Sequence, residues 1–297
     1  MTICGLFFFL LNAKFSEEFT GGVSISLISQ SSPESLQIAL HNFLDKNNYP
    51  TTISIDQAGD TLTIKMNATL DSDAQVAELS DMVKQFLLDE KIVNSTDEII
   101  GQVVIGPSVG EYMKTSAIQA FMAGLVLMVI YILFSFGKIR KDIPAQILAF
   151  TTLAVLLFEV SLCFGAYGLW MMTNETILVD TVFIIAILTV CGYGVNDIII
   201  IFDRVRENLL KKRGTNSVVV EDVIEDSLWQ TMKRSIGTSL STLLVLIAMR
   251  VFGTGVLREF AFTVGIGVIA TAFASIFLGG SLTFILMKLQ KKTKNNK

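Results

Sequence analysis

Long apolar runs separated by short polar ones set the pattern of this chain. Residues 115–137, between Lys114 and Lys138, contain no Asp, Glu, Lys or Arg. Residues 143–170 are broken only by Glu159, and residues 178–202 only by Asp180 at their start and Asp197 inside. A fourth run, 235–252, follows Arg234 and meets Arg250 near its far end; a fifth, 260–287, has no charge. Each has about the 20 mostly apolar residues that a membrane-spanning helix needs. The N-terminal run from Met1 to Ala13 is too short to cross by itself, and no basic residue precedes its apolar stretch as in a secretory signal. It reads as the end of a first span. The pattern therefore predicts six spans, the first of them short.

Between the first and second spans the period changes. Val23 to Ile28 alternates apolar and polar positions, which predicts a strand. Ser32-Pro33-Glu34 opens a helix whose apolar face is Leu36, Ile38, Ala39, Leu40, Phe43 and Leu44; Asn47, Asn48 and Pro50 end it. Thr51 to Ile55 and Thr61 to Met66 form two strands joined by a turn at Gln57-Ala58-Gly59-Asp60. A second helix is expected over 73–89, with Val76, Leu79, Val83, Phe86 and Leu87 on one face, and a last strand over 98–105. The order β-α-β-β-α-β is that of a ferredoxin-like domain, which by itself says nothing of function. The single histidine, His41, falls on the exposed side of the first of these helices.

Composition agrees with a membrane protein: 52% of residues are hydrophobic, mean hydropathy is +0.60, and only 17% are charged, against about 25% in soluble domains. A net charge of −4 argues against a nucleic-acid partner. Cys4, Cys163 and Cys191 all sit in apolar runs and read as small hydrophobic residues rather than a disulfide framework. One histidine and no CxxC pair supply no zinc ligand set, and no metal or cofactor is expected. Nor is an enzyme, for want of a nucleophile–base pair or a phosphate loop.

Of the 23 basic residues, three lie in the loop at 138–141, seven in the segment 203–234 and five in the tail from Lys288. The positive-inside rule makes that side, and both termini, cytoplasmic. The opposite short loops hold only Arg258. The polar segment 14–114, with six lysines against fifteen acids, then lies outside. The expected layout is a short first span (1–13), an external domain (14–114), a five-helix membrane domain (115–288) and a basic cytoplasmic tail (289–297).

A charge in the middle of a membrane helix costs about 2.5–3.5 kcal/mol and marks a functional candidate. Asp197 lies in Gly192-Tyr193-Gly194-Val195-Asn196-Asp197, seven residues before Arg204, so about 10 Å inside the cytoplasmic boundary. The glycines suit close approach of another helix. Arg234 opens the next span, and Gly237, Thr238, Ser241 and Thr242 follow it at helical spacing as one small polar stripe, expected to face other helices. An antiparallel neighbour would bring Arg234 to the depth of Asp197. Spacing alone leaves two readings of Arg234, a partner for Asp197 or a snorkelling anchor like Lys233. For Asp197 the alternative to ion coupling is a structural ion pair or packing hydrogen bond. Glu159 has Val155 and Cys163 one turn away, neither a counter-charge, so a proton relay and a neutral packed acid both stay open.

These residues carry a resemblance. Residues 190–208, VCGYGVNDIIIIFDRVREN, resemble the fourth-helix motif of the SecF family of bacterial protein-export subunits. Phe19-Thr20-Gly21-Gly22 looks like its FTGG element, Gly106-Pro107-Ser108-Val109-Gly110 like GPxVG, Gln230-Thr231-Met232-Lys233-Arg234-Ser235 like QTxxRT, and Val256-Leu257-Arg258-Glu259-Phe260-Ala261 like VLRDFA. The motifs come in order along nearly the whole chain. The resemblance implies a six-span protein of the RND superfamily in the bacterial inner membrane. It implies that the protein works with SecD, SecYEG and SecA and uses the proton or sodium gradient to promote preprotein export. It implies ion coupling by Asp197 and Arg234. Phe158-Glu159 stands where the family has His-Asp, and Glu18 where it has Asp before FTGG. Two other functions remain to be weighed: a half-size RND-type exporter of lipids or small molecules, and an assembly factor whose buried charges only hold helices together. Both transport readings require a partner half. An external segment of about 100 residues favours the export subunit over the exporters, whose external domains are larger.

Overall fold

The computed structural model describes residues 9, 13–29, 32–47, 49, 51–58, 60–68, 70, 72–136, 143–174, 177–212 and 220–295, without the side chains of 58, 68 and 290–295. Most of the expected first span, Cys4, the helix stops Asn48 and Pro50, the turn residue Gly59 and the basic loop at 138–141 lie outside them. In the order of the chain come a one-turn helix α1 (Glu17–Thr20), β1 (Gly22–Ile28), α2 (Pro33–Lys46), β2 (Thr51–Ala58), β3 (Thr61–Ala68), α3 (Asp73–Asp89) and β4 (Ile99–Ile105). Five long helices follow: α4 (Pro107–Ser135), α5 (Ala145–Thr173), α6 (Thr181–Lys212), α7 (Val220–Phe252), and α8 (Val256–Ala274), which runs through a π-helical turn at Ser275–Gly279 into α9 (Gly280–Asn295).

The four strands form one antiparallel sheet in the order β2-β3-β1-β4, with Val23 opposite Met66 on β3 and Val104 on β4. Period two puts Val23, Ile25 and Leu27 on the same face as Leu62, Ile64 and Met66. There they meet Leu36, Leu40 and Leu44 of α2 and Val76, Leu79, Val83 and Leu87 of α3, all buried. Each helix starts where a serine side chain accepts a backbone N–H: Ser32 from Ser35 at 3.3 Å and Ser72 from Gln75 at 3.4 Å. His41 stands on the exposed face of α2, 2.8 Å from Asp45.

The five long helices are each apolar enough to cross a membrane. α8 sits among α5, α6 and α7, while α4 is peripheral and turns Leu127, Ile130 and Phe134 outward. Outward apolar side chains are what a lipid solvent requires. The helices overrun the apolar runs that predicted them. α6 continues to Lys212 and α7 begins at Val220, so the basic segment 203–234 between the apolar runs is largely helical. In the extension of α6 charged residues pair at helical spacing: Arg204 with Glu207 at 2.5 Å, Lys211 with Glu207 at 2.6 Å, and Arg206 with Asp203. Lys212 of α6 and Asp226 of α7 also pair, at 3.2 Å. α4 likewise starts at Pro107 rather than at 115, with proline at its first position.

Candidate functional site

Asp197 is 3% exposed and its Oδ2 has no hydrogen-bond partner. It lies on α6 between the buried Gly194 and Ile198. Glu159 on α5 is fully buried, both its carboxylate oxygens lack hydrogen-bond partners, and the two acids act on each other electrostatically. Gly194 is what lets them approach. A Cβ there would collide with Glu159 Oε2 and stand 3.0 Å from Leu156 Cδ2, so α5 lays its acid against bare α6 backbone. Tyr193, one residue earlier, joins α6 to α7 through a 3.1 Å hydrogen bond between its hydroxyl and that of Thr242.

Of the expected polar stripe on α7, Thr242 meets α6 through Tyr193 while the rest meets no described helix. Arg234, Gly237, Thr238 and Ser241 are exposed, and the face that α7 buries in this chain is Thr231, Ser235, Ser239 and Leu246. The sequence holds two stripes of small polar residues at four-residue spacing, one position apart, and periodicity alone does not choose between them. The exposed hydroxyls bond back to their own helix, Thr238 to the Arg234 carbonyl at 3.1 Å and Ser241 to that of Gly237 at 2.9 Å. Gly192 and Asn196 on α6 are exposed too, and a Cβ on Gly192 or Gly237 would meet nothing within 4 Å. These positions are therefore not packed by the described helices, unlike Gly194. Arg234 acts on Asp197 electrostatically, without an ion pair among the described residues. It lines a cleft of about 560 Å³ together with Tyr131, Ile200, Asp203, Arg204 and Gln230.

That cleft joins two of the sequence motifs. Gln230 Oε1 accepts from Arg204 Nε at 2.5 Å and from Asn208 Nδ2 at 3.1 Å, and Asn208 also donates to the Ser227 hydroxyl at 2.8 Å. The opening glutamine of the α7 motif thus locks the end of the α6 motif, and fixes the offset between the helices that carry Arg234 and Asp197.

At the other end of α6 a second pair of motifs meets. Gly21 and Gly22 have φ of +84° and +156°, and a Cβ on Gly22 would strike the Met66 carbonyl oxygen. A Cβ on Gly110 would stand 2.9 Å from the Phe19 carbonyl oxygen, and one on Gly21 3.0 Å from Pro107 N, so the two glycine motifs press against each other where the α/β domain joins α4. The segment before them is stitched to α6. Phe15 forms a parallel bridge with Val179, with Ser16 N donating to the Val179 carbonyl at 2.9 Å and Val179 N to the Lys14 carbonyl at 2.7 Å. Glu18 Oε2 accepts from Thr181 N at 2.7 Å, and Asp180 Oδ1 from Phe183 N at 2.8 Å. Two carboxylates therefore cap the helix that carries Asp197, one of them from the α/β domain. Asp180 at a span's start and Glu18 before its glycines are both legible in the sequence. Only the fold joins them, since Glu18 and the Thr181 amide that it caps lie 163 positions apart.

These features define a multi-pass α-helical membrane protein with an α/β domain ahead of its five apolar helices and two buried acids within them. Residues 88–290 match the family described as "Protein export membrane protein SecD/SecF, C-terminal", and the chain belongs to that family. It is 30% identical to the protein translocase subunit SecF of Haemophilus influenzae over 288 residues, covering 96% of this chain and 80% of that protein. It is 35% identical to the SecF subunit of Sebaldella termitidis over 215 residues, 72% of this chain and 65% of that one. The matches to this relative and to the SecF of Synechocystis thus span 65% and 59% of those proteins' lengths. The crystal structure of SecDF from Thermus thermophilus, a translocon-associated membrane protein, superposes with a TM-score of 0.71 at 25% identity. The match covers 97% of this chain and 37% of that one.

Proposed function

We propose that this chain is the SecF-type half of the accessory complex of the Sec translocase. Paired with SecD, and acting with SecYEG and SecA, it uses the proton or sodium gradient to promote preprotein export across the bacterial cytoplasmic membrane. Membership of the SecD/SecF family supports the reading, and so does the Thermus relative that carries both names in one chain. The observation that carries it is Asp197: a buried carboxylate with an unpartnered oxygen, under the influence of Arg234 on the next helix. In this reading the chain has six spans, both termini cytoplasmic, and residues 14–114 form a ferredoxin-like domain outside, where an emerging chain appears. The strand order β2-β3-β1-β4 supports that fold. The exposed stripe of Arg234, Gly237, Thr238 and Ser241 then faces SecD, which supplies the second half of a pathway around a pseudo-twofold axis.

Asp197 cycles between a neutral and an ionised form. The ionised form is drawn to Arg234 and the neutral form releases it. One proton crossing 100 mV supplies about 2.3 kcal/mol, which biases a two-state helix bundle by about fifty-fold. The test is preprotein translocation into inverted vesicles, with and without an imposed gradient. Asp197→Asn freezes the neutral state and Arg234→Met removes the attraction. Each variant should insert, bind its partner and lose gradient stimulation, while Asp197→Glu keeps part of it. Wild-type stimulation in Asp197→Asn would show Asp197 to be structural.

A further inference from the structure

The α5–α8 seam holds a set of polar atoms that the Asp197–Arg234 pair leaves unused. Both carboxylate oxygens of Glu159, Thr271 Oγ1 and Ser275 Oγ are buried and without hydrogen-bond partners, in residues 0%, 1% and 0% exposed. Thr271 acts on Glu159 across the seam, outside hydrogen-bond geometry. Ser275 is one turn further along the same face of that helix. The antiparallel register agrees, since Thr283 on α9 donates to Thr151 on α5 at 3.4 Å, which leaves Ser275 between the two contacts. Ser275 also opens the π-helical turn, a local widening that recurs at functional sites. A Cβ on Gly279 would stand 3.3 Å from Ile198 Cδ1, so this turn packs beside the residue that follows Asp197.

A buried carboxylate costs several kcal/mol unless it is paired and hydrogen-bonded. The titratable groups that act on Glu159 are Asp197 and Cys191 of α6 and Cys163 of its own helix, and none is a cation. From α8, the group that acts on Glu159 is the Thr271 hydroxyl. We infer that Glu159, Thr271 and Ser275 form a second site for one monovalent cation within the membrane, beside Asp197 but built on a different pair of helices. The cation is a proton on the carboxylate, hydrogen-bonded to the hydroxyls, or a sodium ion held by the same oxygens. Either delivers one positive charge to Glu159 and neutralises it; no other bond is made or broken. Filling this site removes the negative charge that acts on Asp197, so the two acids are coupled electrostatically. The inference rests on the export reading only for its purpose, since the site itself is defined by its oxygens.

The full chain, reconstituted in phosphatidylethanolamine–phosphatidylglycerol vesicles, is tested in two arms. One follows the infrared carboxyl band from about pH 5 to about pH 9 at fixed sodium; the other measures radioactive sodium uptake at fixed pH. The expected result is a titrating carboxyl band or saturable sodium binding that Glu159→Gln abolishes and Asp197→Asn retains. The near-isosteric pair Thr271→Val and Ser275→Ala should move the half-saturating cation concentration about tenfold or more, the worth of a hydrogen bond to a charged group. Which arm responds identifies the ion. A Glu159 band that stays constant across the pH range, with no sodium bound, means a permanently neutral packed acid and overturns the inference. So does a response that the hydroxyl variants leave unchanged. Because neither arm reads export, loss of gradient stimulation in Asp197→Asn is scored separately.

Discussion

At the scale of single residues, Gly194 and Gly192 make a controlled pair. They lie two positions apart on α6, yet a Cβ fits freely on Gly192 and collides with Glu159 on Gly194. Gly194→Ala should lower stability by about 1–3 kcal/mol through overpacking. Gly192→Ala should be neutral or stabilising by up to about 1 kcal/mol, as alanine is the better helix former. Thermal unfolding of the detergent-solubilised chain would read both. Glu17 gives a pH prediction outside the membrane. It is 4% exposed, and burial raises its carboxyl above the ordinary 4.5, with the Lys65 ammonium pulling the other way. A carboxyl that holds its proton more tightly when folded contributes stability at low pH, and loses it as pH rises from 4.5 through the raised value. Amide exchange at Ser16 and Val179, corrected for intrinsic rate, should therefore quicken across that window. Glu17→Gln should remove the dependence.

At the scale of elements, the start of α6 carries the link between the two halves of the molecule. Helix starts expose four backbone N–H groups, and here Asp180 satisfies one locally and Glu18 another from the α/β domain. Glu18→Gln should weaken the cap by about 0.3–1 kcal/mol, the worth of a negative charge at a helix N-terminus. Asp180→Ala should cost about 1 kcal/mol. Faster hydrogen exchange at Thr181 in the first and Phe183 in the second would check the assignment. An unchanged Thr181 amide in Glu18→Gln would mean that the domain does not hold the helix. The other end of α6 is held by Gln230 on Arg204 and Asn208, so both ends of the helix that carries Asp197 are fixed by sequence motifs far from it along the chain.

At the scale of the whole molecule, the α/β domain has its own core, with sixteen buried apolar residues among those described, and a core of its own is what lets a domain fold apart from its neighbours. Replacing residues 23–105 by a short flexible linker should leave membrane insertion and partner binding intact while abolishing export. Normal export by the deletion strain would remove the domain from the mechanism. The outward stripe of α7 bears on assembly. Gly237 has open space around it in this chain, so Gly237→Leu should leave the chain's own stability unchanged or raise it by up to about 1 kcal/mol. Loss of co-purification with the partner half would place that partner against the stripe.

The sequence determined what depends on local pattern. Period-two alternation marked β1 and β3, helical periodicity placed the helix over 73–89, and long apolar runs located five apolar helices. The lone acids within those runs were visible because hydrocarbon makes a charge conspicuous. What needed tertiary structure was every choice among equivalent faces. α7 carries two small polar stripes and buries the one without Arg234. Glu159 showed no partner on its own helix, and its neighbours Gly194 and Thr271 come from α6 and α8. Helix ends also escaped the pattern. Hydropathy reports where a helix meets lipid, whereas ion pairs at helical spacing accompany α6 beyond it. Local periodicity fixes which residues share a face. Which face is buried depends on the shapes of the helices that come to lie against it, and that information is spread over the whole chain.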